Sequence, residues 1–163
     1  MTGPTKLALA GAIAAASVLG FGALNLAQKR FMCRRKQDEA RVNLRALLSL
    51  ERDFHRRAGR YSSDLRRLEF NPEPGRYVYG FAVDTDGLGR HLVSTVRAPD
   101  RLPAASEIPR DTAAGKDRFR AGAAGHLFAT TSEIDLWTID EQGQLENLKD
   151  GCRWSQLHAF SAG

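Results

Sequence analysis

The residues of this 163-residue chain whose types could do chemistry are few. Two cysteines, Cys33 and Cys152, are too few for a disulfide scaffold and wrongly spaced for zinc, which leaves one bridge or two free thiols. His55, His91, His126 and His158 stand far apart, with no paired histidines at helical spacing, so no metal site is expected. Asp84-Thr85-Asp86-Gly87 begins like a calcium loop but lacks the later ligands, including the closing glutamate, and reads as a hairpin turn. Ser62-Ser63 beside Asp64 has no glycine elbow before it and no histidine with a claim to be its base, so helix capping is the expected role. No motif supplies a nucleophile, a base and an oxyanion site together. The chain is therefore read as a non-enzyme, with no cofactor and no small-molecule substrate.

Charge is the stronger signal. The formal net charge is +5, and between Gln28 and Arg60 eleven Lys or Arg residues face only Asp38, Glu39, Glu51 and Asp53. Lys29, Arg30, Arg34, Arg35, Lys36, Arg41 and Arg45 form a basic patch suited to lipid phosphates, an acidic partner or DNA. The plainer alternative is a solvated helix face.

Three segments must position these groups. Leu7 to Ala27 runs about 21 residues without a charge, close to the roughly 20 that span a bilayer, so residues 1–27 are expected to hold a transmembrane helix. Small residues such as Gly11, Ala15 and Gly22 would let it pack closely against other helices. A cleaved signal peptide is the alternative, with small-residue sites at Val18-Leu19-Gly20 or Gly20-Phe21-Gly22. A lipoprotein signal fits poorly, because Arg30-Phe31-Met32 precedes Cys33.

Residues 28–60 form the second segment, a basic amphipathic helix. It has no proline or glycine before Gly59, and Phe31, Ala40, Leu44, Leu47, Leu48, Leu50 and Phe54 recur at mostly helical spacing. An unbroken helix from about residue 5 to 58 would be about 80 Å long. Residues 61–163 form an α+β head. Residues 76–83 and 91–96 are β-branched and aromatic and predict a hairpin; 134–139 and 145–148 predict another; 119–130 predicts a further strand. Residues 98–118, rich in Pro, Ala and charge, predict a surface loop with a helical turn near 104–107. An antiparallel sheet of about four strands then needs a lid, and residues 38–58 can supply it through Leu44, Leu47, Leu48 and Phe54.

Three stretches resemble type IV pilin-like proteins of the deltaproteobacterial and myxobacterial kind. Arg34 to Leu47 is similar to the run where pilin helices leave the membrane; Phe54 to Leu65 followed by Leu68 to Glu73, with Gly59-Arg60-Tyr61-Ser62-Ser63-Asp64-Leu65 at its centre, is similar to the family's following turn; Phe119 to His126 with Ile134 to Asp140 is similar to its closing strands. Together they cover most of the chain. The resemblance implies a structural or assembly protein, a pilin-like subunit or minor component of a type IV pilus or type II secretion-like machine. Its partners would be other pilin-like subunits and the bacterial inner membrane, with the head in the periplasm or on a cell-surface pilus. The excess of Lys and Arg after the span predicts the opposite, a cytoplasmic head. Outside the cytoplasm, Cys33 and Cys152 could form a bridge. The chain departs from the family where pilins are processed: Pro4, Thr5 and Leu9 stand in place of the cleavage-site glycine, the aromatic after it and the assembly glutamate, and Leu26 in place of the kinking proline. A membrane-anchored module that binds anions or DNA through the basic helix is the alternative function.

Overall fold

The computed structural model describes residues 4–96, 103, 105–128 and 133–152, and within the first helix it describes side chains from Ala27 on. That helix, α1, runs Pro4–Ala58. Gly59 closes it with φ 69°, the left-handed conformation glycine adopts without strain, and its N–H donates to the His55 carbonyl at 2.8 Å. Among the described residues no helix is long and apolar enough to cross a membrane; all of the expected span Leu7–Ala27 except Ala27 lies outside the residues whose side chains are described.

Six strands follow: β1 Tyr77–Gly80, β2 Leu92–Ser94, β3 Ala113–Ala114, β4 Phe119–Gly125, β5 Asp135–Asp140 and β6 Leu145–Lys149. They form one antiparallel sheet in the order β2-β1-β4-β5-β6. The expectation of about four strands is thus corrected to six. β1 covers β4 only from Gly122 to Gly125, and β3 takes over the same edge at Phe119 and Arg120. Two alanines are too short to show an alternating pattern, so β3 has no signature in the sequence. Gly80 ends β1 early: its φ is 138°, and a Cβ there would lie 1.9 Å from the His91 carbonyl oxygen.

Both faces of the sheet are covered. On one, Ala40, Leu44, Leu47 and Leu48 of α1 pack with Tyr77, Tyr79, Phe119, Ala121, Ala123, Trp137 and Ile139, with Phe54 partly buried at the margin. The alternation Tyr77, Tyr79 against Val78, Gly80 is the two-residue period of a strand turning large side chains toward the helix. On the other face, Val78, Ala124 and Ile134 pack with Ile108. Pro109 and Thr112 stand against Gly122, where a Cβ would meet Pro109 Cδ at 2.9 Å. The stretch expected to be a surface loop therefore carries a core residue, Ile108, 1% exposed, just after a 3-10 turn at Ala105–Glu107.

Candidate functional site

Among the described residues the most highly connected polar group lies in the seam between α1 and the sheet. Asp135, fully buried at the start of β5, accepts five hydrogen bonds. Gln37 Nε2 donates to Oδ1 at 2.9 Å, the Gly151 amide at 2.8 Å and Asn147 Nδ2 at 3.2 Å. Tyr77 OH donates to Oδ2 at 2.7 Å, and Trp137 Nε1 donates to the same oxygen. Burial, and then the Asp135 carboxylate, push the Tyr77 phenol far above its usual range, which keeps it a donor. Gln37 also donates to Asp150 at 2.9 Å, and Asp150 accepts from the Cys152 amide at 2.9 Å. One helical turn before Gln37, Cys33 is bonded to Cys152, with their Cα atoms 5.9 Å apart. Covalent and polar fasteners thus join the same two elements.

Two further carboxylates belong to the seam. Glu39 accepts from the Arg76 amide at 2.8 Å and from Thr95 Oγ1 at 3.3 Å, beside Gly75, whose absent Cβ makes room for it. Glu51 is fully buried; Oε2 accepts from the Ser62 amide at 3.1 Å, and Oε1 has no hydrogen-bond partner. Burial, reinforced by Asp86 and opposed by the Ser62 amide and Arg60, pushes Glu51 up from 4.5 to about 8. A folded pKa above the unfolded one means the native state holds the proton more tightly. Its stabilisation is complete below about pH 4.5 and is lost progressively toward about pH 8, with a slope of up to about 1.4 kcal/mol per pH unit. Glu51→Gln, which keeps an acceptor for Ser62 and cannot ionise, is expected to flatten this decline. Thermal melts from pH 4 to 9 should show the variant more stable than the parent at pH 8 and not at pH 4. Parallel curves would show that Glu51 does not carry the effect.

The polar runs near residues 62 and 84 fasten one another. Ser62 Oγ donates to Asp86 at 2.6 Å and Ser63 Oγ to Asp84 at 3.1 Å; Arg60 pairs with Asp86 at 2.8 Å. Asp84 accepts from the Gly87 and Gly89 amides, which hold its carboxyl below the usual range. Both serine hydroxyls are thereby committed. Ser62 Oγ accepts from the Asp64 amide at 3.1 Å at the head of the turn that follows, as expected, and Asp64 in turn accepts from the Arg66 and Arg67 amides. His55 stacks on Tyr61 at 4.4 Å, His91 stands 3.5 Å from Asp84, and buried His126 is 3.8 Å from Glu107. His158 lies outside the described residues. Among the described residues no group of His, Cys, Asp and Glu could hold a metal ion.

The residues of the basic patch do not all share one helix face. Successive helix residues point about 100° apart, so neighbours in sequence diverge. Lys36 turns to the sheet end, where Nζ donates to the Leu127 carbonyl at 2.8 Å and lies 4.0 Å from the centre of the Phe128 ring. Arg41 lies over Trp137 at 4.9 Å and pairs with Asp38 at 3.2 Å. Arg35 lies over Phe31 at 5.7 Å. Lys29, Arg30, Arg34, Arg35 and Arg45 are exposed.

Sequence reading missed Asp135, Gln37 and Glu51. Gln37 and Glu51 had a usable signal: they share the buried helix stripe with Cys33, Ala40, Leu44 and Leu47, where polar side chains need partners. No protein-family model matches the chain, and no curated protein matches it significantly.

Proposed function

We propose that this chain is a pilin-like structural or assembly protein, anchored in a bacterial inner membrane by residues 7–27 and working by lateral helix packing. The carrying observation is the way α1 enters the head. The helix is itself half of the head's core, and Cys33 bonds it to Cys152 near the start of the buried stripe. Force or contact on the N-terminal part of such a helix passes directly into the sheet. Disulfides persist in oxidising compartments, which favours a periplasmic head over the cytoplasmic one suggested by flanking charge. The interlocked serine, aspartate and histidine side chains leave the head suited to display and contact.

Fractionation of cells expressing the chain tests this reading. The expected result is carbonate-resistant recovery with the membrane, and in sheared surface filaments if it polymerises, with an intact residue 1 or 2 by mass spectrometry. A soluble cytoplasmic monomer would refute it.

A further inference from the structure

Arg34, Arg45 and Arg56 are each 11 residues apart, as are Arg41 and Arg52. Eleven residues make almost exactly three helical turns, so these five arginines form one straight column on α1. The column covers 22 residue steps, about 33 Å at 1.5 Å each. It is not the patch suggested by sequence adjacency: it leaves out Lys29, Arg30, Arg35 and Lys36 and adds Arg52 and Arg56.

The column lies beside the buried stripe, along the β5–β6 side of the helix. Arg41 over Trp137, and Arg52 donating to the Glu141 carbonyl at 2.8 Å, fix that side. Beside Arg52 opens a groove of about 480 Å³, whose lining includes Arg45, Arg52, Arg56, Asp53 and the stacked His55–Tyr61 pair. Acidic compensation is partial: Arg41 pairs with Asp38 and Arg56 with Asp53, whereas Arg34, Arg45 and Arg52 have no acidic partner within 4 Å among the described residues. All three are exposed.

We propose that this arginine column binds the phosphate backbone of duplex DNA. Guanidinium forks match phosphate oxygens in pairs, and phosphate contact is the sequence-independent part of DNA binding. The shape favours a rod over a plane. A column of about 33 Å is nearly one duplex turn, about 34 Å. This surface is independent of the assembly role: a filament subunit or a monomer could carry it.

Fluorescence anisotropy of the purified full chain with a labelled 20-base-pair duplex tests it. With about three phosphates neutralised, affinity should fall about 40-fold between 50 and 200 mM salt, a log–log slope of about −2.7. Arg45→Ala/Arg52→Ala should weaken binding about tenfold or more at 50 mM salt and reduce the slope by about two. Arg45→Glu alone, at an exposed residue without an acidic partner, should weaken it while leaving the melting temperature unchanged. Arg66→Ala/Arg67→Ala changes net charge equally on the exposed turn after α1 and should retain nearly parental affinity. Equal loss in this control would reduce the effect to net charge and overturn the proposal. So would absence of binding at 50 mM salt, or tighter binding to phosphatidylglycerol vesicles or to a sulfated polysaccharide than to the duplex.

Discussion

Asp135→Ala is expected to cost about 3–5 kcal/mol, the largest loss from any single substitution in the head, because it strands several buried donors at once. Tyr77 OH, Trp137 Nε1, Gln37 Nε2 and the Gly151 amide all end on this carboxylate. None can turn to water without opening the seam between α1 and β5. Asp135→Asn distinguishes loss of charge from loss of acceptors. The amide keeps one oxygen but presents N–H groups either to Tyr77 and Trp137 or to Gln37 and Gly151, a donor against donors in both orientations. It should therefore recover little of the loss. Urea unfolding followed by tryptophan fluorescence measures both variants. A change below about 1 kcal/mol for alanine would mean that water replaces the carboxylate and that the seam is wetter than its zero exposure indicates.

The same residue shows where sequence reading stops. The two hairpins were legible because β-branched and aromatic runs flank turn residues, and the pairings Val78 with Ser94 and Thr138 with Glu146 follow that pattern. The lid was legible because Leu44, Leu47 and Leu48 recur on one helix face. Asp135 was not, since an aspartate at the start of a strand ordinarily faces solvent, and its donors come from positions 37, 77, 137, 147 and 151. Only the fold brings them together. The cover on the second sheet face failed for a related reason: Ile108 is a single apolar residue among prolines, alanines and charges, with no period to reveal it. The basic residues were legible in composition, while sequence adjacency scatters charge around a helix and the 11-residue spacing aligns it.

The second large effect is expected from the disulfide. The Cys33→Ser/Cys152→Ser variant should lose about 5 kcal/mol, because the bridge closes a segment of 119 residues and, in the loop-entropy account, restricts the unfolded chain accordingly. Two observations make the loss local as well as entropic. Cys33 is fully buried, so serine leaves a hydroxyl in an apolar contact, and Cys152 is adjacent to the Gly151 amide that feeds Asp135. The disulfide and the carboxylate hub therefore support the same turn, and their removal should not be additive. A double-mutant cycle between the cysteine pair and Asp135→Ala should show coupling of about 0.5–3 kcal/mol. Hydrogen exchange should accelerate first at residues 147–152, then along β5. Dithiothreitol should lower the parent's melting temperature toward that of the serine variant and leave the variant unmoved. If the reductant shifts both proteins equally, or neither, the bridge is not what fastens the C-terminal turn to α1, and Gln37 with its two aspartates must hold that junction unaided.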